Sequence, residues 1–200
     1  MSDSVDEDVL AAAQRGSEHA FALIWRELSP SLLGYLAARG VPDPEGTASD
    51  VFVTLFRRLG ELTGGVAGLR TFVFSVAHAR AVDEHRRRSR RPAAVEFDRD
   101  EHDGVVGAAA SAEDEALHRS STARAFALLG RLAPDHREVL ALRVVGDLSL
   151  EQTAAVMGRS VGSIKQLQRR ALQALRAELG DQPAERAGVT ARGAGAMTQS

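Results

Sequence analysis

Residues 148–179 read LSLEQTAAVMGRSVGSIKQLQRRALQALRAEL, and their spacing decides the fold. Ser149 followed three residues later by Gln152 is a capping-box pattern, so a helix starts there. Gly158 ends it, because glycine accepts the left-handed conformation of a C-terminal cap. Ser160 caps a second, longer helix with apolar Ile164, Leu167, Ala171, Leu175 and Leu179. Within this pair, Ala154 is small enough for close helix approach. Gly158 stands in the turn, and β-branched Ile164 locks the second helix onto the first. That order of small residue, glycine and β-branched residue is the pattern of a DNA-reading helix-turn-helix. The plain alternative is a helical hairpin inside some other α-helical domain.

The outer face of the second helix favours DNA. At about 100° per residue, Gly162, Gln166, Arg169 and Gln173 fall opposite the apolar stripe, flanked by Ser163, Lys165 and Arg170. No acid appears there before Glu178. Arg and Lys neutralise phosphates or pair with guanine, and Gln pairs with adenine. This half is expected to enter a major groove.

Composition narrows the rest. The 200 residues are 44% hydrophobic but only 4% aromatic, so Leu, Val and Ala must fill the core. Cysteine is absent, which rules out disulfides, thiolate catalysis and cysteine-ligated zinc and suits a reducing cytosol. No apolar run approaches the roughly 20 residues of a membrane span. The acidic start MSDSVDEDVL lacks the blocks of a signal peptide, so a cytoplasmic protein without membrane insertion is expected. The net charge of −2 conceals segregation: residues 86–91 read RRRSRR, whereas residues 96–115 hold eight acids against Arg99 alone.

Taken in order, the chain predicts helices broken at Gly and Pro. A short helix over Asp6–Gln14 precedes one capped by Ser17, with Trp25 in its apolar stripe and Pro30 expected to kink or interrupt it. Asp43-Pro44 starts a helix to about Leu59, with Val51, Phe52, Leu55 and Phe56 apolar. The connection GELTGGVAG (60–68) is neither a GxxxxGK loop nor a GxGxxG, so nucleotide binding has little support. A helix from about Leu69 to Arg88 follows, with Phe72, Val73, Val76, Ala79 and Val82 inward. Residues 92–112 lose periodicity and read as an acidic linker. Helices resume at Glu113–Leu132 and Pro134–Val145 beneath the helix-turn-helix, and residues 181–200 read as a disordered tail. The expected fold is all-α: two small helical domains, 1–91 and 113–180, joined by an acidic flexible linker.

Two separated segments resemble the extracytoplasmic-function group of bacterial RNA polymerase sigma factors, which keep the second and fourth conserved sigma regions. The fourth-region likeness rests on Arg137-Glu138-Val139-Leu140, Leu142-Arg143, Leu148-Ser149, Ala154, Gly158, Ser160-Val161-Gly162, Lys165, Arg169-Arg170-Ala171 and Leu175-Arg176. Residues 20–91 resemble the second region, with departures. Gly46-Thr47-Ala48-Ser49-Asp50 stands where the family has Asp-Leu-Val-Gln-Glu, and Phe72-Val73 where it often has Trp-Leu. Ala79 replaces an expected Asn, while Val82-Asp83 and the arginine run match.

The resemblance implies a sigma factor that joins core RNA polymerase and directs promoter-specific initiation. Helix 43–59 would dock on the clamp helices of the β′ subunit through Asp50, Phe52 and Arg57, with Phe56 read as core; the C-terminal domain would meet the β flap. His78, Arg80, Asp83, Arg86, Arg87 and Arg88 would bind and melt the minus-ten element. Arg159, Ser160, Gly162, Ser163, Lys165, Gln166, Arg169 and Arg170 would read the minus-thirty-five element. The acidic linker would mimic nucleic acid in the RNA path or serve as a soluble tether. An anti-sigma factor is a further implied partner. The competing reading is a helix-turn-helix regulator that binds promoter DNA without joining polymerase. An enzyme finds little support: six scattered His form no HExxH, no GxSxG elbow is present, and Asp100-Glu101-His102-Asp103 is a solvated run in the linker. No cofactor, metal or catalytic residue is expected.

Overall fold

Capping chemistry sets where the helices begin. In the computed structural model, which describes residues 5–90 and 112–180 (side chains from 122 onward in the second span), Asp6 caps α1 (Glu7–Gln14) by accepting from the Val9 amide at 2.9 Å. Ser17 caps α2 (Glu18–Ala38) and Asp43 caps α3 (Pro44–Arg58). After a 3-10 turn at Leu59–Glu61 comes α4 (Gly65–Arg90), and then, beyond the undescribed residues, α5 (Ala112–Arg131). The remaining elements are α6 (Pro134–Leu140), a π turn (Ala141–Val145), α7 (Leu150–Met157) and α8 (Val161–Gly180). Among the described residues there is no strand, and no helix is long and apolar enough to cross a membrane. The expected linker, up to Ala112, and the expected tail at 181–200 lie outside the described residues.

Several expectations need correction. Helix α2 runs unbroken through Pro30, where the hydroxyls of Ser29 and Ser31 donate to the carbonyls of Trp25 and Leu28. Helix α4 starts four residues earlier than Leu69, recruiting part of the glycine-rich connection; Val66 N–H donates to the Glu7 carboxylate at 2.9 Å. Its buried face is Leu69, Val73, Phe74, Ala77 and Ala81, while Ala79 points outward. The helix expected to reach Val145 gives way at Ala141 to the π turn, closed by Gly146 N–H onto the Ala141 carbonyl at 2.8 Å. At the end of α8, Leu179 is exposed.

The aromatic assignments on α2 and α3 reverse. Trp25, expected in the core, is 40% exposed, and Phe56, also expected there, is 65% exposed. Phe52, expected to face a partner, is 1% exposed beneath the Trp25 ring, with centroids 4.1 Å apart. The α3 stripe is wide enough that the lie of α2 across it decides which edge is covered.

The core of α1–α4 is built on Ile24, Leu32, Leu36, Val51, Phe52, Leu55, Leu69, Val73 and Phe74. Each such side chain contributes about 1.5–3 kcal/mol by leaving water. A second cluster, Leu132, Val139, Leu140, Ala154, Ile164 and Ala171, holds α6 to α7 and α8. The two halves pack against each other, because Ala141, Leu142, Leu148 and Val156 belong to the first cluster. Gly34 permits this approach: a Cβ there would come within 2.8 Å of Val145 Cγ1. Arg70 reinforces it by donating to the Gly146 carbonyl from Nη2 at 2.8 Å, and Gln152 Nε2 donates to the Ala67 carbonyl at 3.1 Å.

Candidate nucleic-acid interface

The turn between α7 and α8 follows from its residues. Ser149 Oγ accepts from the Gln152 amide at 3.1 Å while Gln152 Oε1 accepts from the Ser149 amide at 2.7 Å, a complete capping box. Gly158 adopts φ +62°, the left-handed conformation that costs glycine least. The following Arg159 amide returns to the Ala154 carbonyl at 3.0 Å, and Ser160 Oγ accepts from the Ser163 amide at 3.2 Å to start α8. Ile164 is fully buried and fastens α8 to α7 and α6.

That orientation leaves one face of α8 to solvent. Gly162, Ser163, Lys165, Gln166, Arg169 and Arg170 are all exposed, and so are Arg159 and Ser160 before them. Arg159 is engaged at its guanidinium by Asp135, Nη2 to Oδ2 at 2.5 Å. An open cleft of about 330 Å³ beside this face is lined by Leu150, Lys165, Gln168, Arg169, Leu172 and Arg176.

The second basic element is the end of α4. Asp83, Arg86, Arg87 and Arg88 are exposed there; Arg86 lies 3.9 Å from Asp83 and Arg87 4.0 Å from Glu84, contacts too long and too wet to hold either arginine. Arg88 donates to the Gly40 carbonyl at 3.1 Å. Arg80 is tied to α3 by Asp50, Nη1 to Oδ2 at 2.8 Å, which joins a residue expected on DNA to one expected on polymerase. Near the start of α4, Arg58, Glu61, Leu62, Thr63, Gly68, Thr71 and Phe72 line an open cleft of about 440 Å³.

His78, expected at DNA, faces the other way. Its Nδ1 lies 2.9 Å from Glu138 Oε1 and 3.5 Å from the Tyr35 hydroxyl. Tyr35 donates to the same Glu138 oxygen at 2.7 Å, and Arg39 Nε stands 2.6 Å from Glu138 Oε2. Arg39 and Glu138 meet there as charges only, since neither atom completes a hydrogen bond of ordinary direction. Glu138 is 3% exposed. Burial pushes its carboxyl up, but the hydrogen bond with His78, the charge of Arg39 and the Tyr35 hydroxyl pull it below the ordinary value. Burial, and then the Glu138 charge, hold the Tyr35 phenol well above its own.

A carboxyl with a lowered native pKa stabilises the fold fully above its unfolded value, about 4.3, and loses that contribution as pH falls through the native value. Acid unfolding followed by circular dichroism should therefore have a shallower limb below about pH 4.3 in Glu138→Gln than in the wild type. Parallel limbs would contradict this assignment.

Known proteins of related sequence and fold bear on this geometry. The family described as Sigma-70, region 4 matches residues 128–177, which span the last turn of α5 through most of α8. The ECF RNA polymerase sigma factor SigD of Mycobacterium tuberculosis is 30% identical over 177 residues, 86% of this chain and 82% of SigD. The ECF RNA polymerase sigma factor BldN of Streptomyces coelicolor is 30% identical over 170 residues, 84% of this chain; the chain spans 63% of BldN's length. In fold, the chain resembles CnrH, solved in complex with the cytosolic domain of CnrY. The TM-score is 0.65 at 23% identity, covering 89% of this chain and 99% of CnrH.

Proposed function

The chain belongs to the extracytoplasmic-function group of RNA polymerase sigma factors, and from that we propose that it carries core polymerase to promoters through two separate DNA contacts. The observation that carries this reading is the exposed, acid-free face of α8, held outward by a fully buried Ile164. Lys165, Gln166, Arg169 and Arg170 on that face would read the minus-thirty-five element, with Ser160, Gly162 and Ser163 giving the backbone close approach. Arg159 would add a phosphate contact once released from Asp135. Arg86, Arg87 and Arg88 would neutralise phosphates of the minus-ten element, and Asp83 and the cleft beside Phe72 would meet bases as they unpair.

In this reading two roles differ from those the resemblance implies: His78 serves the Glu138 cluster, and Arg80 pairs with Asp50 between α4 and α3. On the polymerase side, Phe56 replaces the buried Phe52. Its ring meets Phe21 edge-on at 5.3 Å, and with Trp25, Val53 and Arg57 it forms an exposed apolar face with a basic rim. Large exposed aromatics at this density mark a protein contact, and the β′ clamp helices are the partner proposed for it. A protein that covered the same face would compete with polymerase and so act as an anti-sigma factor.

Gln166→Ala should relax sequence preference at the minus-thirty-five element, where a bidentate pair supplies about 1–3 kcal/mol of discrimination. Arg170→Ala should instead weaken all promoters alike and reduce the salt slope of binding by about one. Holoenzyme binding to a randomised minus-thirty-five library over a range of salt separates the two. An unchanged profile for Gln166→Ala would remove that residue from base reading.

A further inference from the structure

The described arrangement holds the two proposed DNA contacts too close together to be used at once. Under the reading above, elements at minus ten and minus thirty-five lie about 25 base pairs apart, or about 85 Å along the duplex. Helix α4 touches α7 at Ala67–Gln152, and α7 leads directly into α8. With a 1.5 Å rise per residue, Arg87 lies about 30 Å along α4 from that contact and Arg169 about 26 Å along α7 and α8 from it, so the two are no more than about 70 Å apart. The halves must separate for both contacts to form.

We propose that Glu138 is the latch of a closed, promoter-incompatible state, its carboxylate on α6 clasped by Tyr35 of α2, by Arg39 at the C-terminal cap of α2 and by His78 of α4. The inference rests on the sigma-factor reading for its consequence but on contacts across the seam for its mechanism. All three partners of Glu138 come from the other half of the chain. With Thr153 it is one of only two buried polar or charged residues among the described ones. Thr153 is satisfied within its own helix by the Ser149 carbonyl. A buried ion pair adds little net stability compared with apolar packing, yet removing one partner strands the other in a dry site. Such a pair suits a device that fixes one arrangement and comes apart when both charges reach water together. The imperfect Arg39–Glu138 geometry fits that use, and so does the small contact at Gly34, which admits Val145 only while residue 34 lacks a side chain. Polymerase opens the latch by binding the open state better, and the closed fraction lowers apparent affinity for promoter by the same factor.

The absence of cysteine allows a clean test in the full chain. A donor and an acceptor fluorophore on Glu18→Cys and Ala177→Cys, both exposed positions, report the separation of the halves. Core polymerase should lower the transfer, and Glu138→Gln should lower it without polymerase. Unchanged transfer in a Glu138→Gln protein of native helicity overturns the proposal. If that variant loses helicity, Gly34→Leu gives the same reading, because it wedges α2 away from Val145 without removing a charge; unchanged transfer there overturns it equally.

A lock provides the converse. The 2.8 Å approach at Gly34–Val145 brings the β-carbons near the roughly 3.5–4.5 Å that a disulfide needs. Oxidised Gly34→Cys/Val145→Cys protein should lose promoter-specific run-off transcription with core polymerase at least ten-fold and regain it on reduction. Equal activity of the oxidised and reduced forms would overturn the latch. A wild-type protein that supports no promoter-specific transcript would defeat the sigma-factor reading instead, and the transfer measurement would still decide whether Glu138 holds the halves together.

Discussion

Phe56→Asp is expected to weaken binding to core polymerase by about thirty-fold or more while the protein stays folded. The ring is 65% exposed and touches Phe21 at its edge, so its loss removes little from the core. Exposed substitutions of this kind change stability by about 0.5 kcal/mol. The centre of an apolar docking face is different: an aromatic anchor there is worth about 2 kcal/mol or more, and thirty-fold in affinity is about 2 kcal/mol. Placing a carboxylate in the face adds a desolvation cost to the lost contact. Fluorescence anisotropy of labelled protein titrated with core polymerase measures the effect, with thermal unfolding as the control. Wild-type affinity in a folded Phe56→Asp protein would move the polymerase contact elsewhere.

Ile164→Ala should have the second large effect, and in the other half. Ile164 is fully buried between α8, α7 and α6, beside Ala154 and Val139. Emptying such a site costs about 2–5 kcal/mol through lost transfer energy and the cavity left behind. The second cluster has few members to absorb the loss, so α6–α8 should melt earlier while α1–α4 keep their own core. Hydrogen exchange resolves this: protection in residues 150–175 should collapse while protection in residues 20–80 persists. Uniform loss across both segments would mean that the halves unfold as one cooperative unit, and undiminished protection would mean that Ile164 does not fasten the recognition helix.

The helix-turn-helix was readable because every device in it is local. Ser149 and Gln152 cap each other across three residues, and Gly158 needs its left-handed φ whatever surrounds it. The same holds for Asp6, Ser17 and Asp43 at their helix starts. The face proposed for polymerase was not readable in this way. Val51, Phe52, Leu55, Phe56 and Leu59 make a stripe broad enough for either edge to be core, and only the path of α2 brings Trp25 over Phe52 and leaves Phe56 outside. Glu138 carried a faint signal: it shares its helical phase with Ala141 and Leu142, both buried, so a charge there called for partners. Those partners lie 103 residues away at Tyr35 and 60 away at His78, beyond the reach of any periodicity. His78 was placed with the DNA contacts for the same reason, since its position on an arginine-ended helix said nothing of Glu138, which packs across it.

Promoter-directed initiation is tested by run-off transcription with purified core polymerase on a library of promoter fragments, with and without this protein. Transcripts from a defined subset of promoters should appear only when the protein is added, with the subset changed by Gln166→Ala. Specific DNA binding by the protein alone as a dimer, with no protein-dependent transcript from any fragment, would contradict it.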